Sequence, residues 1–432
     1  MKKIYLALVS ASAVTIATLP ALSADYNWKR DAGQTINVLV NNNSLGNALV
    51  SEIDNFEKLT GISVKPDTYN EQQMRQRLLT VMNAHSDEFD VFMTLPSREG
   101  EQFDVAGWVT DLSGRLKDDV APDYDPAGLS KALLKAGTFS GKVTSVPMNI
   151  EGPILYVRAD IFQKCNVEIP KRISDIAAAA KKIKACDADV TPFVSRGLRS
   201  AVAYTFSNFL HNYGGSYMKD GKSNLCSREG QEALQSYSNL LRDYGPPGVV
   251  NYSFLQIGSL YGAGRAAMSF ATSNQLSKLL ENPARRKDTL VMPLPTGPGG
   301  SVPTTIGWGL AMSPFSKKQD AAWLFIQWAT SPGTQKALAL KGIAPPRAAV
   351  ADDPVYKAWL DKLPVRKQWE ETLTVLGDKG TSEVGYPIIE NPRSRDFIGE
   401  AVVDIMLGKS DVKTSCAAAD KSLNKLIAEQ HN

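Results

Sequence analysis

The chain has 432 residues, with 48 lysines and arginines against 45 aspartates and glutamates, so its formal net charge at neutral pH is only +3. This length predicts two to three domains of roughly 150 residues each, and the 43% hydrophobic and 22% charged composition is that of a globular protein. No run of five or more basic residues occurs, and the densest basic patch, residues 284–287, is followed directly by Asp288. Nucleic-acid binding is therefore disfavoured.

Residues 1–24 predict an export signal. Lys2 and Lys3 precede an apolar segment over residues 4–19, and small residues follow it up to Ala24. The apolar segment is short and diluted by serine and threonine, so we expect cleavage near Ala24 rather than a retained membrane anchor. No cysteine stands at the cleavage point, and no other segment approaches about 20 consecutive apolar residues. We therefore expect a soluble, exported protein without a lipid anchor.

The region after the signal predicts a parallel α/β sheet. Strands at residues 36–40, 62–64 and 89–93 alternate with helices whose apolar residues recur at helical spacing. Ligands bind such sheets at the loops beyond the carboxyl ends of the strands. Two loops take that place, residues 41–44 and 94–99, although asparagine-rich loops are more often simple turns. Their candidate ligand residues are Asn42, Asn43, Ser97 and Arg98.

Residues 146–153 predict a crossing between lobes, because prolines restrict the backbone on both sides. The more helical region that follows, residues 159–303, predicts a second lobe. Tyr204 and Asn208 share a helix face at i, i+4 and can reach a cleft, while most aromatics beside them are expected in the core. Ser273 and Asn274 follow the short strand 267–271 and form another candidate ligand edge. Residues 293–303 resemble a linker that returns the chain to the first lobe.

The four cysteines are expected to be structural. Cys165, Cys186, Cys226 and Cys416 allow three pairings, and a free buried thiol is the alternative. A Cys165–Cys186 bridge would be local, spanning one helix and its lead-in, and Cys226–Cys416 would then tie a middle segment to the C-terminal helix. No pair has CxxC spacing and the three histidines are scattered, so the sequence predicts no metal site.

Residues 304–347 organise the rest of the chain. Gly307, Trp308 and Gly309 lead into a buried strand at residues 310–312, and a helix is expected from Lys318 to about residue 330. Trp308 is either a core tryptophan or a stacking surface for a sugar ring. The flanking glycines favour the second interpretation, since they let another surface approach closely.

The exit from this region, residues 343–347, predicts a further crossing. Arg347 either directs its guanidinium into the cleft or is a simple surface arginine. Helices over residues 351–432 should pack on the second lobe, and Tyr386 lies in the one aromatic loop there that can line the site.

Several segments of the chain resemble the landmark segments of one protein family, and they occur in the same order as in that family. Residues 307–332, GWGLAMSPFSKKQDAAWLFIQWATSP, resemble the signature of the family 1 extracellular solute-binding proteins, the maltose-binding-like receptors of carbohydrate ABC importers. The segments that resemble its other landmarks are residues 36–64, 89–95, 146–162, 245–254 and 264–270. The resemblance thus covers nearly all of the mature chain.

The resemblance implies a class II periplasmic-binding-protein fold, with two α/β lobes and a ligand cleft between them. The first lobe would comprise residues 25–147 plus 304–347, and the second residues 148–303 plus 348–432. The crossings would lie near residues 146–151, 298–306 and 343–351. Glu151, on the first crossing, is the preferred carboxylate for ligand hydroxyls, with a surface salt bridge as the alternative.

The resemblance also implies a function. A monomeric periplasmic receptor would capture a sugar, oligosaccharide, polyol or sugar derivative without a cofactor and deliver it to an ABC permease. Arg98, Arg196 and Arg347 leave an anionic ligand open. The candidate ligand residues are Asn42, Asn43, Ser97, Arg98, Glu151, Tyr204, Asn208, Ser273, Asn274, Gly307, Trp308, Arg347 and Tyr386.

Catalysis is not expected. The sequence contains no nucleophile elbow, no Walker A loop and no GxGxxG motif. Its adjacent acidic pairs, 118–119, 352–353 and 370–371, point apart on a helix or strand and form no obvious acid–base pair. The alternative is a secreted carbohydrate-active hydrolase, whose two carboxylates can lie far apart in sequence.

Overall fold

The computed structural model describes residues 26–280 and 282–430. The predicted export signal, residues 1–24, lies outside the described residues. Within the described part of the chain, no helix combines the length and the apolar composition needed to cross a bilayer.

Short strands build two larger sheets and two small hairpins. The strands are β1 (Thr35–Asn41), β2 (Ser63–Tyr69), β3 (Val91–Thr94), β4 (Thr138–Phe139), β5 (Lys142–Val143), β6 (Val146–Pro147), β7 (Pro153–Arg158), β8 (Thr191–Val194), β9 (Met218–Lys219), β10 (Lys222–Ser223), β11 (Ala266–Thr272), β12 (Thr289–Met292) and β13 (Gly309–Met312).

Helices cover the faces of both larger sheets. The helices are α1 (Ser44–Val50), α2 (Ile53–Thr60), α3 (Glu71–Asn83), α4 (Glu101–Val105), α5 (Ser113–Asp118), α6 (Lys131–Ala136), α7 (Ala159–Lys164), α8 (Ile173–Cys186), α9 (Ala203–Asn212), α10 (Arg228–Tyr244), α11 (Phe254–Gly262), α12 (Leu276–Leu280), α13 (Pro283–Asp288), α14 (Gln319–Thr330), α15 (Pro332–Ala339), α16 (Ala348–Ala351), α17 (Pro354–Leu360), α18 (Arg366–Lys379), α19 (Asn391–Met406) and α20 (Val412–Glu429). A π-helical turn, Pro96–Gly100, precedes α4.

The first sheet has the order β2-β1-β3-β13-β6. β1 runs parallel to β2 and β3, whereas β13 is antiparallel to both β3 and β6. The register pairs Val38 with Val91 and Leu310 with Met93. All of these strands except β2 are largely buried, as expected of short apolar runs covered on both faces. The returning segment 309–312 thus completes the sheet that the N-terminal segment begins.

The second sheet has the order β12-β7-β11-β8. β7 is antiparallel to β11 and β12, and β11 is parallel to β8. Every residue of β7 and β11 is buried. Separate groups of buried apolar side chains surround the two sheets, so each sheet has its own core.

Three chain crossings lie side by side between the sheets. Glu151 and Ile306 exchange backbone hydrogen bonds of 2.8 and 2.7 Å, and the Ile150 amide donates to the Ala344 carbonyl at 3.0 Å. The predicted crossings near residues 146–151, 298–306 and 343–351 therefore meet in one narrow hinge.

The predicted helix carrying Leu49, Ile53 and Phe56 forms as two helices, α1 and α2. The Ser51 hydroxyl donates to the Ala48 carbonyl at 2.7 Å, a local bond that competes with the regular helical pattern. Gly61, predicted as the stop, ends α2 in the left-handed conformation at φ 73°. The predicted strand at 62–64 extends further, to Tyr69.

Of the three pairings open to the four cysteines, the structure contains the one with a local bridge and a long-range bridge. Cys165, at the end of α7, bonds to Cys186, at the end of α8, with 5.7 Å between their Cα atoms. Cys226 bonds to Cys416 on α20, 190 residues away. One bridge is therefore local, and the other fixes the C-terminal helix to the second sheet's domain.

Candidate functional site

A cavity of about 390 Å³ lies between the lobes, beyond the carboxyl ends of β1 and β11. Its volume falls at the lower end of the roughly 300–1,000 Å³ typical of small-molecule sites. Both lobes contribute to its wall. The polar and aromatic residues that line it are Asn42, Asn43, Ser44, Asn47, Glu71, Glu151, Arg196, Tyr204, Phe254, Thr272, Asn274, Gln275, Trp308 and Arg395.

Glu151 is the buried carboxylate at the base of this cavity. Its Oε1 accepts a hydrogen bond from the Tyr204 hydroxyl at 2.9 Å, and its Oε2 accepts from Asn274 Nδ2 at 2.6 Å and from Asn149 Nδ2 at 3.4 Å. Burial raises the pKa of Glu151, while hydrogen bonds from Thr272 and Tyr204 and the charge of Arg196 oppose that rise. The surface salt bridge considered for Glu151 is wrong, since the side chain is buried among neutral donors.

Asn149 connects this network to Trp308. Its Oδ1 accepts from the Trp308 backbone amide at 2.9 Å, and its Nδ2 donates to Asn274 Oδ1 at 3.3 Å. Sequence reasoning missed Asn149, although it lies two residues before Glu151 on the same crossing. Its amide orients both the carboxylate and the segment that carries the indole.

Trp308 belongs to the first lobe's core and also to the cavity wall. It is only 3% exposed and packs within the first core, yet it lines the cavity. The Arg75 guanidinium lies 5.5 Å from its ring centroid. The core interpretation of Trp308 is therefore confirmed, and the sugar-stacking interpretation stays a prediction. A Cβ at Gly307 would lie 2.5 Å from the Asn149 carbonyl oxygen, so the close approach that Gly307 allows is that of the neighbouring crossing.

Glu71 and Arg75 form the charged wall below Trp308. Arg75 Nη1 pairs with Glu71 Oε1 at 2.5 Å, and Arg75 Nε pairs with Glu99 Oε2 at 3.1 Å. Burial acts to raise the pKa of Glu71, but Arg75, Arg196 and Arg98 outweigh it and lower that pKa to about 2. Glu71 therefore stays ionised at neutral pH.

Arg196 stacks on Tyr204 on the opposite wall. Its guanidinium carbon lies 4.2 Å from the Tyr204 ring centroid and 5.9 Å from that of Phe254. Burial raises the pKa of the Tyr204 hydroxyl well above its usual value, so this hydroxyl remains a donor to Glu151. The stack holds the guanidinium at the cavity edge.

The predicted residues Asn42, Asn43, Glu151, Tyr204, Asn274 and Trp308 come together around this cavity. Asn43 also caps α1, because its Oδ1 accepts from the Gly46 amide at 2.8 Å. Capping is the simple turn role considered above for this loop. Asn42 and Asn43 both line the cavity as well.

Seven of the predicted residues do not line this cavity, and two of them are buried in the packing around the crossings. Asn208 is buried and bonds to Thr304 in both directions, at 2.7 and 3.0 Å, which fixes the second crossing. Ser273 is buried, and its hydroxyl accepts from the Gly152 amide at 3.4 Å. Both residues stand next to lining residues but point their side chains into the hinge packing.

Arg347 is also a buried structural residue. It is 1% exposed, and it donates to the carbonyls of Thr330 and Asp125 at 2.7 Å each, over the ring of Tyr124. Both interpretations of Arg347, a cleft arginine and a surface arginine, are therefore wrong.

The remaining candidates line a second cavity, of about 530 Å³, bounded by the turn 96–101 and the loop 382–388. These candidates are Ser97, Arg98, Gly307 and Tyr386. Tyr386 is fully buried, and its hydroxyl bonds to Ser223. The structure thus separates these four from the residues around Glu151.

Sequence reasoning missed Glu71, Phe254 and Arg395 at the first cavity. Glu71 follows the carboxyl end of β2, and the strand-end rule finds it once β2 is extended to Tyr69. Arg395 lies on α19, far along the chain, and no local pattern indicates that it reaches this cavity. In the described residues, no group of three or more histidine, cysteine, aspartate or glutamate side chains is placed to hold a metal ion.

Comparison with known proteins identifies relatives across most of the chain. A mannitol-binding protein from Pseudomonas aeruginosa is 24% identical over 386 residues, which cover 84% of this chain and 85% of the relative. An erythritol/L-threitol-binding protein from Mycolicibacterium smegmatis is 24% identical over 331 residues, which cover 72% of this chain and 69% of the relative.

Solved structures share the fold. An ABC transporter solute-binding protein from Agrobacterium radiobacter K84, in complex with ribitol, superposes with a TM-score of 0.81 at 24% identity and covers 91% of this chain and 99% of its own. The predicted two-lobed, maltose-binding-like α/β fold is therefore confirmed. The sequence model of the bacterial extracellular solute-binding proteins matches residues 41–336. This chain belongs to the family of bacterial extracellular solute-binding proteins.

Proposed function

We propose that this protein is the periplasmic substrate-binding protein of an ABC importer. It captures a carbohydrate, of the size of a polyol or small sugar, in the cavity between its lobes and delivers it to a membrane permease. The observation that carries this proposal is the composition of the cavity. An indole on one wall faces a hydrogen-bonded set of carboxylate, hydroxyl and amide groups on the other.

These two walls suit a polyhydroxylated ligand. The Trp308 ring offers an apolar face for the C–H groups of a sugar or polyol. Glu151 and Asn274 offer acceptors and donors for its hydroxyls, and a charged acceptor makes the stronger bond. The polar groups of such a site match one arrangement of ligand hydroxyls. When a stereoisomer binds, some of these groups stay without a hydrogen-bond partner, so the site discriminates between stereoisomers.

The ligands of two relatives support the same class. The Pseudomonas aeruginosa relative is a mannitol-binding protein, and the Agrobacterium radiobacter structure holds ribitol. Both are linear polyols. A cavity of about 390 Å³ favours such a compact ligand over a long oligosaccharide.

Lobe closure at the three crossings would complete the site. The first lobe comprises residues 25–147 plus 304–347, and the second residues 148–303 plus 348–432. Because the backbone pair Glu151–Ile306 lies in the hinge, a rotation of the lobes changes few contacts there while it opens or closes the cavity. Glu151 is then both a hinge residue and a ligand contact.

The cellular setting follows from the same proposal. The export signal is cleaved near Ala24, the mature chain acts in the periplasm as a monomer, and the inner-membrane permease subunits of an ABC transporter receive the closed form. No cofactor takes part.

A secreted carbohydrate-active hydrolase is the second candidate. One observation favours it: Glu71 and Glu151 line one cavity, and their pKa values are shifted in opposite directions, as in an acid and base pair. Against it, Glu71 is paired with Arg75, and Glu151 accepts bonds from three side chains. Binding without turnover is therefore the better proposal.

A thermal-shift screen with polyols, monosaccharides and disaccharides tests the proposal. Preferential binding to the native state raises Tm, by an amount that corresponds to about 2.7 kcal/mol at a ligand concentration of 100 Kd. The bound compound should be recovered chemically unchanged after prolonged incubation. Hydrolysis products would favour the second candidate, and a panel without any shift would refute carbohydrate binding.

A further inference from the structure

Arg196 lines the cavity without a direct ion pair in the described residues. It is 6% exposed, its Nε is buried without a partner, and its side chain makes no hydrogen bond with the described residues. The rings of Tyr204 and Phe254 lie beside it, and the carboxylates of Glu71 and Glu151 attract it only from beyond ion-pair distance. Aromatic faces attract a guanidinium weakly, but they leave its in-plane N–H groups free.

Arg395 is a second buried guanidinium on the same cavity, and it too lacks a carboxylate. It is 3% exposed and donates through Nε and Nη2 to the Val384 carbonyl and to Asn391 Oδ1, at 2.8 to 3.0 Å. No carboxylate of the described residues lies within 4.0 Å of it, and its Nη1 makes no hydrogen bond with them. Neutral acceptors therefore orient the Arg395 guanidinium but do not neutralise its positive charge.

The carboxylates of this region are already engaged elsewhere. Glu71 and Glu99 both pair with Arg75, and Arg98 reaches Glu99 only at 3.8 Å. Glu151 is bound by Tyr204 and two asparagines. Neither Arg196 nor Arg395 therefore has a carboxylate within ion-pair distance in the described part of the site, and Asp396 attracts Arg98 only from farther away.

The charged residues of this region come from both lobes. α19, which carries Arg395, packs on the turn Pro96–Gly100, which carries Arg98. Burial lowers the pKa of Arg395 well below its usual value, and the charges of Arg98 and Arg75 lower it further. Burial and Arg75 also lower the pKa of Arg98, to about 10. Burying a charge without a direct partner is costly, so an anion bound beside Arg196 and Arg395 would lower that cost.

We propose that the physiological ligand supplies this anion: it is a polyol or sugar derivative that carries one carboxylate or phosphate group. The anionic group binds the guanidinium edges that Arg196 and Arg395 present to the cavity, and the hydroxyls face Glu151 and Asn274. A planar guanidinium matches carboxylate and phosphate oxygens in paired hydrogen bonds. This inference rests on the proposed carbohydrate-binding function and narrows it to acidic derivatives.

Matched ligand pairs test the inference on the unaltered protein. Isothermal titration calorimetry would compare D-mannitol with D-mannonate and with mannitol 1-phosphate, ribitol with D-ribonate, and D-glucose with D-glucuronate. We expect the acid of at least one pair to bind ten or more times more tightly than its neutral partner. The phosphate and carboxylate members separate the two sources of the anion.

Different results would refute the anionic ligand and the carbohydrate-binding function itself. If a neutral compound binds as tightly as its acid, or more tightly, in every pair that binds, the anionic inference is overturned and the receptor function stands. If neither member of any pair binds, carbohydrate binding itself is refuted, and the inference falls with it.

Arginine variants locate the anion. Arg196→Gln and Arg395→Gln should each weaken binding of the acid at least ten times more than binding of its neutral partner. Arg199→Gln and Arg393→Gln are matched controls, because these arginines lie nearby but are half exposed or more. Equal losses for acid and neutral ligand in both cavity variants would overturn the assignment, and Tm without ligand verifies that each variant is folded.

Discussion

Replacing Trp308 with alanine separates the two roles of this indole. In the structure, the ring is 3% exposed, packs in the first lobe's core and lines the cavity. The backbone amide of residue 308, which donates to Asn149 at 2.9 Å, is retained in Trp308→Ala. The hinge contact therefore survives, and the substitution removes only the ring.

The expected loss of stability is moderate. Truncation of a fully buried aromatic side chain costs about 3–5 kcal/mol. Because one side of the Trp308 ring already faces the cavity, we expect about 3 kcal/mol, the lower end of that range. The same substitution should also weaken ligand binding. A ligand that covers this ring gains about 1.5–3 kcal/mol from apolar burial, so its Kd should rise about 10- to 150-fold.

Trp323→Ala is the matched control. Trp323 is fully buried in the same core, and its Nε1 donates to the Asp119 carbonyl at 2.6 Å, away from the cavity. This variant should lose more stability, about 5 kcal/mol, and bind ligand with unchanged Kd. Urea denaturation and calorimetric titration measure both quantities. If Trp308→Ala binds the ligand normally, the indole is a core residue only and the stacking argument is refuted.

Three further predictions concern charge, disulfides and the hinge. Because the folded chain lowers the pKa of Glu71 to about 2 from its ordinary 4.5, its contribution to stability is complete above pH 4.5 and is lost as the pH falls towards 2. Glu71→Gln should therefore flatten the fall of Tm between pH 5 and 3, and an unchanged slope would contradict this. Replacing Cys226 and Cys416 with serine opens a link across 190 residues and should cost about 5 kcal/mol in urea denaturation. The Cys165–Cys186 pair, 21 residues apart, should cost about 3 kcal/mol, and the reverse order would contradict the chain-entropy argument. Arg347→Met leaves the carbonyls of Thr330 and Asp125 without their donors, so it should reduce stability by roughly 3 kcal/mol and change ligand Kd less than twofold. A selective loss of affinity would restore Arg347 to the site.

Local patterns in the sequence predict much of the fold. The helical spacing of Ala321, Leu324, Phe325 and Trp328 predicts α14, and the structure places that helix at Gln319–Thr330. The apolar run before it, residues 310–312, predicts a short buried strand, and the structure forms β13 there. The pairing of the four cysteines stayed open at the level of the sequence, because the contact of Cys226 with Cys416 arises only when distant segments fold together.

The site was harder to predict because it depends on contacts between distant segments. Asn42 and Asn274 follow strands, and the rule for strand ends finds them, whereas Glu151 is a candidate because the family resemblance places its crossing at the cleft. Arg395 reaches the cavity only through the packing of α19 against a turn some 300 residues earlier in the chain. Arg347 shows the converse: an arginine beside a crossing is buried under carbonyl groups, and no local pattern distinguishes it from a ligand-binding arginine.

Hydrogen exchange with and without ligand tests the central claim most directly, that one ligand is held between both lobes. With the tightest-binding compound of the panel at saturation, amide exchange should slow in residues 42–50 of the first lobe and in residues 196–210 of the second. Exchange in α8 (Ile173–Cys186), which does not line the cavity, should not change. Protection confined to one lobe, or found only around the second cavity at residues 382–388, would contradict the account.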